Sequence, residues 1–252
     1  MTLVNEIETL MLGMSDEQQC VLLGRFFKTG KGEYGEGDKF LGIKVPQTRT
    51  VVKEYRYRLT LNEIEKLLYS QWHEIRLCGF LLLVEEMNAA LPKKRETEPQ
   101  IKAKRRKEIA DFYLLHARQA NNWDLVDLSC CEIIGNWLLY PSVNNTLPDR
   151  SVLDKLSGSK NLWEQRISIV STLRLIRAGS FDDTLRIADK LLLHKHDLIQ
   201  KAVGWALREL GKKDIELLRS YLKENSSKMA RTTLRYAIEK MDAEERRYWL
   251  GR

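Results

Sequence analysis

Trp123 and Asp127 stand four apart in the run WDLVD, so a helix brings them onto one face. A carboxylate in the first turns of a helix, beside an indole, favours a cation nearby. A second group lies at 197–210. Set at about 100° per residue, Ile199, Ala202, Val203, Ala206, Leu207 and Leu210 share one apolar face, and Lys201, Trp205 and Arg208 form a stripe opposite. A helix needing only a core gains nothing from an indole between two cations. A surface that meets phosphates and a flat or cationic ligand does gain. The plainer alternative is a tryptophan packed under a neighbouring loop. Such groups suit the cleavage of an N-glycosidic bond, which passes through an oxocarbenium-like sugar. A fixed carboxylate stabilises that charge and orients water, and indole faces add cation–π attraction of about 0.5–2 kcal/mol each. An alkylated purine is already cationic and leaves without a general acid, so one carboxylate can suffice.

The elements that must position these residues are helices. Apolar periodicity predicts them over 3–12, 16–28, 46–57, 61–70, 72–89, 100–119, 123–140, 149–157, 161–178, 182–193, 197–210, 212–223, 228–240 and 242–249, with no strand pattern. Asn122, Asn161 (with Glu164 three residues on), Asp197 and Ser227 stand as caps. The longer helices begin alike: WHEIRLCGFLLL at 72, WEQRISIVSTLR at 163, LIQKAVGWALRE at 198 and KMARTTLRYAIE at 228. Arg76, Arg166, Lys201 and Arg231 take one equivalent place, and WDLVDLSCCEII at 123 fits with Val126 there. This degenerate repeat predicts an all-α, HEAT-like solenoid of about six antiparallel helix pairs in a single domain over 1–252. Second-helix N-termini would line the concave side, where their N–H groups favour phosphate. Repeated arginines also serve as structural ladders in such folds.

Two segments break the pattern. GKGEYGEGDKFLG (30–42) holds five glycines and is a loop, either a mobile one leading into Lys44 and Pro46 on a DNA side or a long connector. It is no Walker motif, since no GK[ST] opens a helix. The stretch 91–107 carries two prolines and the run Lys102, Lys104, Arg105, Arg106, Lys107, expected as a solvated helix face. Trp72, Trp137, Trp163 and Trp249 read as packing residues, and the four histidines as surface residues.

Composition bounds the rest. The 252 residues are 31% charged and 43% hydrophobic, a globular rather than disordered balance. A net charge of +7, from 42 Lys and Arg against 35 Asp and Glu, favours a polyanionic partner weakly. Cys20, Cys78, Cys130 and Cys131 have no CxxC spacing and no clustered histidines, so no metal or cofactor is expected and the thiols read as free and mostly buried. No apolar run nears the roughly 20 residues of a membrane span, and MTLVNEIETLMLG carries acidic residues unlike a signal peptide. A cytoplasmic monomer is expected.

Four runs, YGEGDKFLGIKVPQTR (34–49), WDLVD (123–127), WEQR (163–166) and IQKAVGWALRE (199–209), lie in order along the chain. Together they resemble the AlkD-type DNA alkylation-repair glycosylases, a HEAT-like helical family, over about residues 34 to 240. The resemblance matches the family's aromatic pair to Trp123 and Trp205, its carboxylate to Asp127 and its phosphate-contacting arginine to Arg166. It implies excision of N3- and N7-alkylpurines from duplex DNA, with contact to the deoxyribose and phosphates and no base-accepting pocket. Two places depart from the pattern. Asn122 stands where some relatives have the first of two tryptophans, and MARTTLRYAIEK replaces an arginine-rich stretch.

The expectation is therefore a monofunctional alkylpurine DNA glycosylase whose partner is double-stranded DNA. Asp127, Trp123 and Trp205 would be catalytic, and Arg166, Lys201, Arg208 and Lys44 would bind DNA. The alternative is a non-catalytic HEAT-like protein gripping unusual DNA or a protein partner. Asp127 discriminates, because a carboxylate beside phosphates is repulsive to a mere binder.

Overall fold

Every segment with helical periodicity contains helix, most with ends within two or three residues of those expected. The computed structural model describes residues 2–93 and 99–251, so the middle of the expected connector, 94–98, lies outside the described residues. Among the described residues β pairing amounts to one isolated bridge between Lys39 and Trp72. The protein is all-helical, and successive helices pack on their sequence neighbours in the manner of a helical repeat. Packing divides it into two compact units, Met1–Ser129 and Cys130–Arg252.

In the first unit, helix His73–Ala89 is the centre. Residues 75–84 are all buried, which marks an element covered on every side rather than an amphipathic surface helix. It packs on Val45–Tyr55, Leu61–Leu68, Pro99–Leu115 and the short helix Trp123–Asp127. Thr60 starts Leu61–Leu68 with a reciprocal box: its hydroxyl accepts from the Glu63 N–H, and the Glu63 carboxylate accepts from the Thr60 N–H at 2.8 Å. Helix Glu17–Phe26 differs from its neighbours in having no buried residue, and Val21, Leu22 and Phe26 are exposed.

In the second unit, helix Asp197–Gly211 is the hub, packed on Leu162–Val170, Asp182–Leu191, Ile215–Asn225 and Arg231–Ala237. Its residues Ile199, Ala202, Val203, Ala206, Leu207 and Leu210 are buried, as the periodicity requires. Gly204 permits a close approach to Arg231–Ala237. A Cβ there would sit 2.4 Å from Tyr236 Cβ and 2.5 Å from the Thr233 carbonyl oxygen.

Several local expectations are corrected. The segment 123–140 is not one helix: it stops at Asp127, passes through a π-helical turn at Cys131–Gly135, and resumes at Asn136–Leu139. The Ser129 hydroxyl bonds to the Leu125 carbonyl at 2.5 Å, competing with the main-chain ladder where the helix stops. Asn122 and Asn161 cap as expected, but His196 rather than Asp197 caps the hub helix. Ser227 caps nothing, because the next helix starts at Arg231 after Ala230. Within the basic run, Arg106 is buried and donates to the Ala90 carbonyl at 2.8 Å, while Arg105 pairs with Glu86 and Lys107 with Asp111.

Candidate functional site

Asn122 accepts from the Trp123 N–H at 2.8 Å and so opens the helix that carries Trp123 and Asp127, both half-buried. The Trp123 ring stacks on Phe27 (centroids 5.3 Å apart), Phe27 on Phe40 (5.1 Å) and Phe40 on the His73 imidazole (4.5 Å). This run of rings walls a cavity of about 400 Å³, in the range of small-molecule sites. Leu23, Phe26 and Leu77 add apolar surface, and Lys44, Glu74, Asp124 and Asp127 also line it. The sequence reading did not anticipate this cavity.

Behind the rings lies a buried charge network. His73 is 1% exposed; its Nδ1 lies 2.8 Å from Asp38 Oδ2 and its Nε2 2.8 Å from Asp124 Oδ2. With a carboxylate on each nitrogen, both nitrogens donate and the ring is an imidazolium. Burial opposes that charge, but the two carboxylates, Asp124 foremost, outweigh it and hold the pKa up at about 9. Arg76 completes the network, bonding to Asp38 and donating to the Ser70 carbonyl at 2.9 Å. Burial alone would raise the Asp38 carboxyl, but the His73 and Arg76 bonds hold it below its ordinary value. Asp124 Oδ1 is buried without a hydrogen-bond partner among the described residues.

The glycine-rich loop is fastened to this network. The Lys39 carbonyl accepts from the His73 N–H at 2.8 Å. The Glu74 carboxylate accepts from three successive amides, Leu41 (2.9 Å), Gly42 (2.9 Å) and Ile43 (3.1 Å). Gly42 has φ +83 with the Asp16 carbonyl 2.2 Å from where a Cβ would be, so no other residue fits. The loop delivers Lys44 to the cavity as an exposed residue at the start of Val45–Tyr55.

The second unit carries the remaining expected residues. Lys201, Trp205 and Arg208 are all half-buried on the side of Asp197–Gly211 opposite its apolar face. Lys201 pairs with Asp197 at 2.6 Å, and Arg208 pairs with Glu239. Arg166 is only 5% exposed and donates from Nη1 to the Leu198 carbonyl at 2.5 Å, tying Leu162–Val170 to the hub helix as a ladder arginine does. Arg76 is buried in the same way, whereas Arg231 is exposed and donates to the Leu250 carbonyl.

Sequence reasoning missed Asp38, His73, Glu74 and Asp124. The histidines expected at the surface are instead buried (His73, His116) or half-buried (His194, His196). The four cysteines are free, and three are buried. Burial pushes the Cys78 thiol up to about 12 and the Cys131 thiol up to about 11, so neither is a nucleophile near neutrality. Among the described residues no group of three or more His, Cys, Asp or Glu side chains is placed to hold a metal ion. No helix among them is long and apolar enough to cross a membrane.

A family model described as DNA alkylation repair enzyme matches residues 7–241, nearly the whole chain and parts of both units. The chain belongs to the DNA alkylation repair enzyme family. A solved structure described as a predicted DNA alkylation repair enzyme from Enterococcus faecalis superposes with a TM-score of 0.64 at 17% identity. That match covers 91% of this chain and 97% of the other, so the two share a fold. A search of curated proteins finds no match. For a repair enzyme of this family the macromolecular partner is DNA, which accords with the excess of basic residues.

Proposed function

We propose that this repair enzyme is a monofunctional DNA glycosylase hydrolysing the N-glycosidic bond of N3- and N7-alkylated purines in duplex DNA. The observation that supports it best is the pairing of Trp123 and Asp127, both accessible and both lining one cavity. In the reaction, the C1′–N bond breaks and its electron pair leaves on the base, which goes from cationic to neutral. Positive charge passes to the sugar as an oxocarbenium. Asp127 stabilises that charge, and water adds to C1′ and gives up a proton. The Trp123 face favours the same cation. Lys44, Lys201 and Arg208 would meet phosphates. The Lys201–Asp197 and Arg208–Glu239 pairs are partly exposed and cost only about 0–1 kcal/mol to open, so these cations can be exchanged to DNA. Arg166 would be a further phosphate contact, the role that the resemblance gives it, and it also anchors a helix through the Leu198 carbonyl.

The test is release of 7-methylguanine and 3-methyladenine from methylated duplex DNA by wild type and Asp127→Asn. Release by wild type and a loss of about a hundredfold or more in the variant is expected. Release unaffected by the substitution would keep the glycosylase and remove Asp127 from its centre. DNA binding without release would favour the non-catalytic binder.

A further inference from the structure

The helix that carries Trp123 and Asp127 is too short to hold itself. It spans five residues, Trp123–Asp127, and stops before the π-helical turn at Cys131–Gly135. Isolated helices below about 12–15 residues are marginal in water, so its direction and its rotation come from contacts with the rest of the first unit. Rotation is the more demanding of the two. A carboxylate tip about 5–6 Å from a helix axis travels about 1 Å for a turn of about 10°.

Asp124 supplies the rotational stop. It stands three residues before Asp127, so the two share one side of the helix, and both line the cavity. Asp127 is half-buried, whereas Asp124 is 5% exposed and its Oδ2 accepts from His73 Nε2 at 2.8 Å. His73 is itself fixed. It is the first residue of the central helix His73–Ala89, its Nδ1 is bonded to Asp38, and Asp38 is bonded to Arg76. Its ring also lies against Phe40 and, with centroids 5.0 Å apart, against Phe27, on which Trp123 stacks. The short helix therefore meets one anchor at two points, Asp124 through a hydrogen bond and Trp123 through the rings. Buried ion pairs contribute little net stability because desolvation offsets them. A fixed geometry accounts for four charged side chains buried behind the candidate site.

We propose that Asp124 is a positioning residue for base release, held by His73 and Asp38 so that the short helix presents Trp123 and Asp127 in one rotation. The step it serves rests on the glycosylase reading above. Asp124 acts through Asp127, so the length and bonding of its arm matter more than its charge.

The test is single-turnover release of 7-methylguanine from methylated duplex DNA by the intact protein, with DNA affinity and amide hydrogen exchange of 123–129 followed alongside. Asp124→Ala removes the stop and should slow release by about tenfold or more. Asp124→Asn keeps an oxygen for the imidazolium and should recover most of that rate. Asp124→Glu keeps the charge on an arm one methylene too long, which turns the helix, and should remain slow. DNA affinity should stay within about twofold throughout, since the loss lies in the reaction step. Exchange at 123–129 should quicken in Asp124→Glu and Asp124→Ala and stay unchanged in helix Asp197–Gly211. A faster Asp124→Glu than Asp124→Asn would make charge the agent and overturn the proposal, as would wild-type rates in all three. The Asn and Glu comparison stands even where Asp124→Ala fails to fold. Failure of the glycosylase reading looks different. Exchange that follows the expected order while wild type releases no base keeps Asp124 as the anchor of the helix and removes the reaction. Release with flat rates and flat exchange keeps the glycosylase and removes the positioning role.

Discussion

Replacing His73 with glutamine should remove a pH dependence of stability that the wild-type protein carries. Raising the imidazolium pKa from 6.5 to about 9 corresponds to about 3 kcal/mol of preference for the charged ring in the folded protein. Because the folded value lies above the unfolded one, this contribution is fully present below pH 6.5 and is lost as pH rises through 9. Urea denaturation of wild type at a series of pH values should therefore show stability falling between these limits, with a slope approaching about 1.4 kcal/mol per pH unit from this group. His73→Gln can donate to only one of the two carboxylates and leaves the other without its cation, so it should lose stability most at pH 6 and approach wild type at pH 10. At the acid end the sign reverses. Asp38, held below its ordinary value, contributes stability above 3.8 that is lost as pH falls through its folded pKa. The difference between wild type and variant isolates His73 from other groups titrating in the range. Parallel pH profiles for the two proteins would refute the claim that His73 is an imidazolium clamped between Asp38 and Asp124.

Other outcomes follow from the second unit. Gly204→Ala would press a methyl against Tyr236 Cβ and the Thr233 carbonyl, and should cost about 1–3 kcal/mol in urea denaturation. An unchanged midpoint would mean that the hub helix and Arg231–Ala237 have room to separate. Lys201→Ala and Arg208→Ala should each make the log–log salt dependence of DNA affinity shallower by about 0.9, if each meets one phosphate. Identical slopes in wild type and both variants would take these residues off the DNA.

Much of the fold was legible because helical burial is written in a short period. The hub helix illustrates it: six apolar residues at i, i+3, i+4 spacing are buried, and Lys201, Trp205 and Arg208 stand on the other side. What the period could not convey was a helix broken by a side chain, as at Ser129, where one hydroxyl competes for a carbonyl inside a run that is apolar on both sides of it. The candidate site was half legible. Trp123 and Asp127 declare themselves by local spacing, but Asp38 and Asp124 reach His73 from 35 and 51 residues away, a distance no periodicity spans. Arg166 shows the opposite limit. Its repeat position was visible, yet one repeat position accommodates both a buried ladder arginine and the ion-paired Lys201.

Glu74 has a bearing on how the protein matures. Its bonds to Leu41, Gly42 and Ile43 join residues 31 to 33 apart in sequence, enclosing helices Val45–Tyr55 and Leu61–Leu68, which are stabilised by near neighbours. Closing a ring of that length costs entropy that only the finished contact repays, so local helices are expected to form first and the fastening of the loop last. A chain halted before that step would carry nearly its full helical signal in far-ultraviolet circular dichroism while lacking the wall that holds Phe40 and the segment that presents Lys44. Helicity and competence are then expected to be acquired at different moments, and a variant that slows ring closure would be well folded by the usual spectroscopic measure yet slow to become active.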